Sequence, residues 1–337
     1  MTPITRTPRP SATRTVSRRS ACAVALLALA GAGSALAQQF PARAVTIVVP
    51  FAPGSVTDQA ARAFADDLST ELKTPVIVDN RPGAAQSIAG AMVARAPADG
   101  HTLFFANLPA IVPPSIQSKL PYTGIRDFAP VANVLSFGFV LFTSPNVPAR
   151  NLQEFIALLK ANPAKYTFAS GGVASPPHVI GEMFNIQIGV KTLHVPYKGA
   201  NQVLPELMSD RISYAFLPTG GMEFARAGKV KSFAVAADRR DGDFPELPTF
   251  TEAGLPGFNA RASFVLVAPK QTPADVVAKL NAAANKVLAG SNFYPKVKSI
   301  GGVQVYPPAT SAQAGAIIAA EEARWDDVVK KAGIVLE

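Results

Sequence analysis

Apolar and polar positions along the chain change period every ten to twenty residues. Val45, Ile47, Val48 and Val49 form a short β-branched run, the composition of a strand covered on both faces. Pro50 stops it, because proline offers no N–H to a sheet ladder. Pro53-Gly54-Ser55 is turn chemistry, and Ser55 or Thr57 can cap the helix that follows. Residues 57–72 put Ala60, Ala61, Phe64, Ala65 and Leu68 on one helical face. The succession then repeats. Strands are predicted at 75–78, 102–106, 131–143 (one or two strands), 166–169, 192–195, 212–217, 230–236 and 263–267. Helices are predicted at 87–96, 152–159, 178–184, 202–208 and 223–227. Two more close the chain: one with Thr272 as N-cap and Pro273 at its start, and one over 311–331 with Trp325 and Val328 on its apolar side.

Strands alternating with helices argue for parallel α/β layers. Ser144-Pro145-Asn146-Val147-Pro148 breaks the pattern and reads as a lobe boundary. The proline-rich stretch 245–256 reads as a surface connection. The apolar run at 263–267 can carry the chain back to the first lobe. These breaks divide the chain into 1–37, a first lobe from 38–142, a second lobe over 143–261, and a return to the first lobe over 262–337.

The first 37 residues stand apart. Arg6, Arg9, Arg14, Arg18 and Arg19 form a basic region without an acid, followed by an apolar run at 21–32 too short to span a bilayer. Ala35-Leu36-Ala37 is a small-x-small cleavage site, so a secreted, periplasmic protein beginning at Gln38 is expected. Removing this leader takes away the single cysteine, Cys22, and lowers the net charge from +9 to +4. Thiol chemistry is thereby excluded, and the basic balance gives little reason to expect nucleic acid as a partner. Only 16% of residues are charged, which excludes a disordered chain.

The chemistry the residues permit is narrow. No G-x-S-x-G elbow, H-E-x-x-H, P-loop or strand-linked G-x-G-x-x-G is present, so neither metal nor nucleotide cofactor is expected. His101 and His194 sit at or within strands and read as structural. Ser170 and His178 are close enough in sequence for a secreted serine hydrolase to stay open as an alternative. What recurs is a set of loops at the carboxyl ends of strands, rich in Gly, Pro, Ser and Thr: 52–57, 107–110, 170–175, 197–200 and 218–221. Such loops hold an anion by backbone N–H groups and helix N-termini. Distributed over two lobes, they point to a cleft for a small carboxylate.

Several segments resemble the Bug family, the periplasmic solute-binding proteins of tripartite tricarboxylate transporters. They are F-P-A-R-A-V-T-I-V-V-P-F-A-P-G-S-V-T-D from Phe40, V-D-N-R-P-G-A from Val78, A-D-G-H-T-L from Ala98, D-F-A-P-V from Asp127, V-P-Y-K-G-A from Val195, L-P-T-F-T-E-A-G-L-P-G-F from Leu247 and A-P-K-Q-T-P from Ala268. The resemblance implies a two-lobe, type II periplasmic binding protein. Each lobe is a mainly parallel sheet flanked by helices, with two crossing strands as the hinge. It implies a monomer that is not an enzyme. This protein would bind a dicarboxylate, tricarboxylate, aromatic acid or amino acid and pass it to a membrane permease, or report it to the sensor kinase of a two-component system. Carried over by position, the first-lobe contacts are Phe51, Ala52, Gly54, Ser55, Thr57, Asp58 and Asn107. The second-lobe contacts are Ser170, Ser175, His178, Tyr197, Lys198, Gly199, Ala200 and Pro218. Asp58 also reads as a first-turn acid bracing its helix, Lys198 as a solvated charge and His178 as a cap. The chain departs from the family at Ser55-Val56, Ala85-Gln86-Ser87 and 173–177, where side chains replace bare backbone and reshape the pocket.

Overall fold

In the computed structural model, which describes residues 40–83, 86–108, 122, 124–300 and 302–334, the first apolar run forms β1 (Val45–Val49). It is followed by α1 (Val56–Leu72), β2 (Val76–Asn80), α2 (Ser87–Ala94) and β3 (Thr102–Leu108). The long apolar run is one strand, β4 (Phe128–Thr143). Next come α3 (Leu152–Ala161), β5 (Thr167–Ser170), α4 (Pro176–Ile188), β6 (Leu193–Pro196), α5 (Val203–Met208), β7 (Tyr214–Pro218), α6 (Met222–Arg226) and β8 (Lys231–Val235). The chain ends with β9 (Arg261–Pro269), α7 (Ala274–Ala289), α8 (Phe293–Val297), β10 (Val303–Val305) and α9 (Ser311–Ala332). The described residues from Arg43 onward pack as one compact unit. The leader expected at 1–37 lies outside the described residues.

The strands run in the order β2-β1-β3-β9-β4-β7-β5-β6, with β10 and β8 also pairing with β4. β4 belongs to both halves. Phe128–Gly138 pairs with β9, and Phe139–Thr143 pairs with β7. Gly138 makes the passage possible, since a methyl group there would lie 2.9 Å from Ala236 O and 3.1 Å from Val235 Cγ2.

Strand directions then fix where the loops point. β3 and β4 are both antiparallel to β9, so β3 and its parallel neighbours β1 and β2 run toward the second half. β7 is antiparallel to β4 and parallel to β5, which is parallel to β6, so their carboxyl ends point back toward the first half. Leu108, the last residue of β3, is level with Ser263 and hence with Ser136 of β4. Pro218, the last residue of β7, is level with Phe139. Three residues of β4 separate the two levels, a gap of about 10 Å at the rise of a strand.

The layers around the sheet follow the apolar pattern. Phe105 of β3 meets Phe64 of α1 and Phe264 of β9 on one face. On the other, Phe104, Leu108, Val265 and Val267 pack with Val93 of α2 and Ile318 of α9. Trp325 and Val328 are buried, as the helical pattern predicts. The stretch 245–256 is not a surface connection throughout. Leu247 and Phe250 are buried, and Phe250 stacks in a cluster with Phe184, Phe216 and Phe258. Proline prevents regular structure there but does not prevent its neighbours from burying side chains. Thr272 does not cap α7; its hydroxyl donates to Pro269 O (2.7 Å), and Pro273 itself occupies the N-cap position. α9 carries a full capping box, Thr310 with Gln313.

Candidate functional site

The first cluster is built on the start of α1. Ser55 is the N-cap, in extended conformation, and its hydroxyl accepts from Asp58 N (3.2 Å). This leaves the N–H groups of Val56 and Thr57, the first two of the helix, pointing out of it. Asp58 is buried, and both of its oxygens are occupied. Gly54 N (2.8 Å), Arg62 Nε (3.0 Å) and Asn80 Nδ2 (2.9 Å) all donate to it. Burial alone would raise its carboxyl, but these bonds outweigh burial and hold it below the usual carboxylate range. Asp58 therefore braces the turn. Asn80 also donates to Phe51 O (2.9 Å), so Phe51, Gly54 and Asp58 are tied into one rigid loop. Ala52 is exposed at its tip and Thr57 is buried beside Asp58.

Asn107, next to last in β3, lies on the face that α1 covers. Side chains alternate along a strand, so it shares a side with Phe105, which meets Phe64 of α1, while Ala106 faces the other way. Its backbone is clamped by Gln86, whose Nε2 donates to Asn107 O (2.8 Å) and whose Oε1 accepts from Asn107 N (2.9 Å). Gln86 holds a left-handed backbone to do so. Asn107 Oδ1 is buried and has no hydrogen-bond partner among the described residues. Sequence reasoning missed the clamp; its only signal was the glutamine standing where the family pattern has small residues. The rest of the loop predicted at 107–110 lies outside the described residues.

The second cluster gathers at the ends of β5 and β6. Tyr197 N donates to Ser170 O (2.9 Å), and Gly171 lies so close to Ala200 that a methyl group would stand 2.7 Å from its nitrogen. Ser175, Tyr197, Gly199 and Ala200 thus lie on one surface, with Ser170 and His178 buried beneath it. Its hydroxyls are turned inward. Ser170 Oγ (2.9 Å) and Ser175 Oγ (2.7 Å) both donate to Gly172 O. Lys198 N donates to Gln202 Oε1 (3.1 Å), while the lysine side chain is exposed. Tyr197 OH donates to Glu206 Oε2 (3.3 Å). Pro176 and Pro177 occupy the first turn of α4 and offer no N–H. Pro218 ends β7, the strand that runs parallel beside β5.

Ser170 does not pair with His178. Its Oγ lies 2.7 Å from His194 Nε2, and His178 Nδ1 accepts instead from Ala174 N (2.9 Å). Ser170 is also fully buried. The Ser170–His178 pair required for a hydrolase is not formed; Ser170 Oγ meets His194 instead. Among the described residues no group of three or more His, Cys, Asp or Glu could hold a metal ion. None of their helices is long and apolar enough to cross a membrane.

Residues 60–334 match the family model described as tripartite tricarboxylate transporter family receptor. Protein BugT of Bordetella pertussis is 32% identical over 305 residues, covering 89% of this chain and 93% of BugT. MatC of Rhodopseudomonas palustris, solved with bound malate, is 33% identical at a TM-score of 0.76 and covers 86% of this chain and 100% of its own. Rpa4515 of R. palustris, solved with adipate, is 29% identical at a TM-score of 0.78, covering 88% and 100%. The shared fold is the expected α/β architecture of a sheet flanked by helices. Its strand pairing is mixed rather than mainly parallel, because β4 and β9 run antiparallel to their neighbours, and β4 is the strand that pairs in both halves.

Proposed function

The chain belongs to the tripartite tricarboxylate transporter receptor family, and from that premise we propose that it captures a small organic carboxylate in the periplasm for a transporter of this class. Members of the family are periplasmic solute-binding proteins. The observation that carries the reading is the opposition of two loop sets across three residues of β4, one of them presenting the free N–H groups of α1. Malate in MatC and adipate in Rpa4515 support a carboxylate as the ligand class.

In this reading residues 143–261 make the second lobe, and β4 and β9 are the hinge. The carboxylate accepts from the amides of Val56 and Thr57, with Ser55, Thr57 and Asn107 beside it. The surface formed by Ser175 and Tyr197–Ala200, underlain by the buried Ser170 and His178, closes over it from the other side, with Pro218 at the edge. Closure strips water from the ligand and shifts the open–closed equilibrium through its better fit to the closed form. The ligand leaves unaltered, and the closed form docks on the membrane permease.

A ligand that binds only the native state stabilises it by mass action, by about 2.7 kcal/mol at a hundred times Kd. A thermal-shift series over mono-, di- and tricarboxylates, aromatic acids and amino acids is expected to yield at least one acid that raises the melting temperature in a saturable way. A flat response to every acid in the series would refute the proposal.

A further inference from the structure

We propose that Thr219 and Asp241 form a subsite for a protonated amino group, so that the acid captured by this protein is an amino acid. The inference rests on the carboxylate-binding reading and narrows it.

Thr219 follows Pro218, directly at the gap between the two halves of the sheet. Its side chain is fully buried, and Oγ1 has no hydrogen-bond partner among the described residues. Asp241 reaches the same place from the connection between β8 and β9. Its Oδ1 accepts from Asp243 N (3.0 Å), but Oδ2 is buried without a partner among the described residues. Gly302, just before β10, keeps the intervening space clear. A methyl group in place of its α-hydrogen would lie 3.3 Å from Thr219 Cγ2, 3.4 Å from Asp241 Oδ2 and 3.8 Å from Gly138 N. The three segments thus converge on the point where β4 crosses from one half to the other.

A buried carboxylate oxygen without a donor is costly, and so is a buried hydroxyl oxygen. Both persist where a donor arrives from outside the chain. The buried cation of the crossing, Arg261, does not serve. It stands opposite Gly138 on β9 and is turned to Ser136 Oγ, at 3.2 Å from Nε and 2.8 Å from Nη2. An ammonium group suits these two acceptors in chemistry: it carries three donors and the charge that complements a buried carboxylate. A ligand hydroxyl brings one donor and no charge. Malate and adipate, the ligands of the two related structures, have no amino group, so this subsite would set the specificity of the present chain apart.

The test is titration calorimetry on the mature protein with matched acids: aspartate, malate and succinate; leucine, 2-hydroxy-4-methylpentanoate and 4-methylpentanoate. In at least one series the amino acid is expected to bind at least tenfold more tightly than both analogues. Asp241→Asn is expected to erase that preference while the analogues keep their affinity, and Thr219→Val to reduce it severalfold. If an analogue binds as tightly as its amino acid, or the preference survives both substitutions, the subsite is wrong although carboxylate capture stands. If no member binds and the broader acid series is also silent, carboxylate capture fails with it. Sodium or potassium chloride raising the melting temperature through Asp241 in the absence of any acid would also overturn the proposal.

Discussion

The imidazole rings of His178 and His194 are stacked 3.7 Å apart with 7° between their planes. Phe168 packs against both rings. Two cations cannot share such a place. Burial, and then the charge of His194, push His178 down from 6.5 to about 3, and burial pushes His194 down to about 4. Both rings are neutral in the folded protein at neutral pH. In the unfolded chain they take up protons near 6.5, so the unfolded state binds more protons below that pH. The stability they contribute is complete above 6.5 and is lost as pH falls toward 4 and then 3. Urea unfolding is expected to show a fall between pH 6.5 and 5, where ordinary carboxylates scarcely titrate. His178→Phe should flatten that slope. Equal stability at pH 7 and pH 5 in the parent protein would contradict the assignment.

The turn before α1 offers a separation of bracing from binding. Ser55→Ala removes the N-cap and is expected to cost about 1 kcal/mol, leaving the helix amides available. Asp58→Ala strips the partner from Gly54, Arg62 and Asn80, and is expected to cost about 2–3 kcal/mol. Ser55→Trp should leave the fold standing while abolishing ligand-induced stabilisation. Retained affinity in Ser55→Trp would remove this loop from the site.

Arg261 is a buried cation with no ion pair and with Nη1 unpartnered among the described residues. Its guanidinium is held by the neutral hydroxyl of Ser136. Replacing a poorly compensated buried charge with an apolar residue of similar length is often neutral or stabilising. Arg261→Met is expected to leave stability unchanged or to raise it by about 1–4 kcal/mol, whereas Ser136→Ala should lower it by about 1–3 kcal/mol. Chemical denaturation of the two variants checks the pair. A large loss in Arg261→Met would mean that the guanidinium has a partner that matters.

Gly138 tolerates no side chain without displacement of Ala236. Gly138→Val is therefore expected to separate β8 from β4 and destabilise the protein by about 1–3 kcal/mol, the range of an overpacked interior. A melting curve unchanged from the parent would show that the strands yield there freely.

Much of the fold was legible because burial is periodic. The cores of β1, α1, β3, α3, α7 and α9 coincide with runs of Val, Ile, Leu, Phe and Ala, and only their ends differ by a few residues. β10 was not legible, since three half-buried residues carry no period. At the site, the loops were legible from Gly, Pro and Ser at strand ends. Which of their donors are already used was not. Ser170 and Ser175 both turn to Gly172 O, and Gln86 reaches across 21 positions to Asn107. Such bonds depend on which segments tertiary packing brings together, and local pattern holds no record of them. The same is true of Thr219 and Asp241, which both come close to Gly302 only because β7, β10 and the connection after β8 converge.

β9 lies between β3 and β4 in the sheet, yet it comes more than a hundred residues after either of them. Until residues 261–269 have been made, β3 and β4 each carry an open, apolar edge with nothing to cover it. A growing chain, or a fragment truncated before this point, therefore cannot complete its earliest sheet, however much of the rest is present. Its last quarter acts as the keystone of its first, and a nascent protein of this topology must be kept from aggregating until that piece arrives.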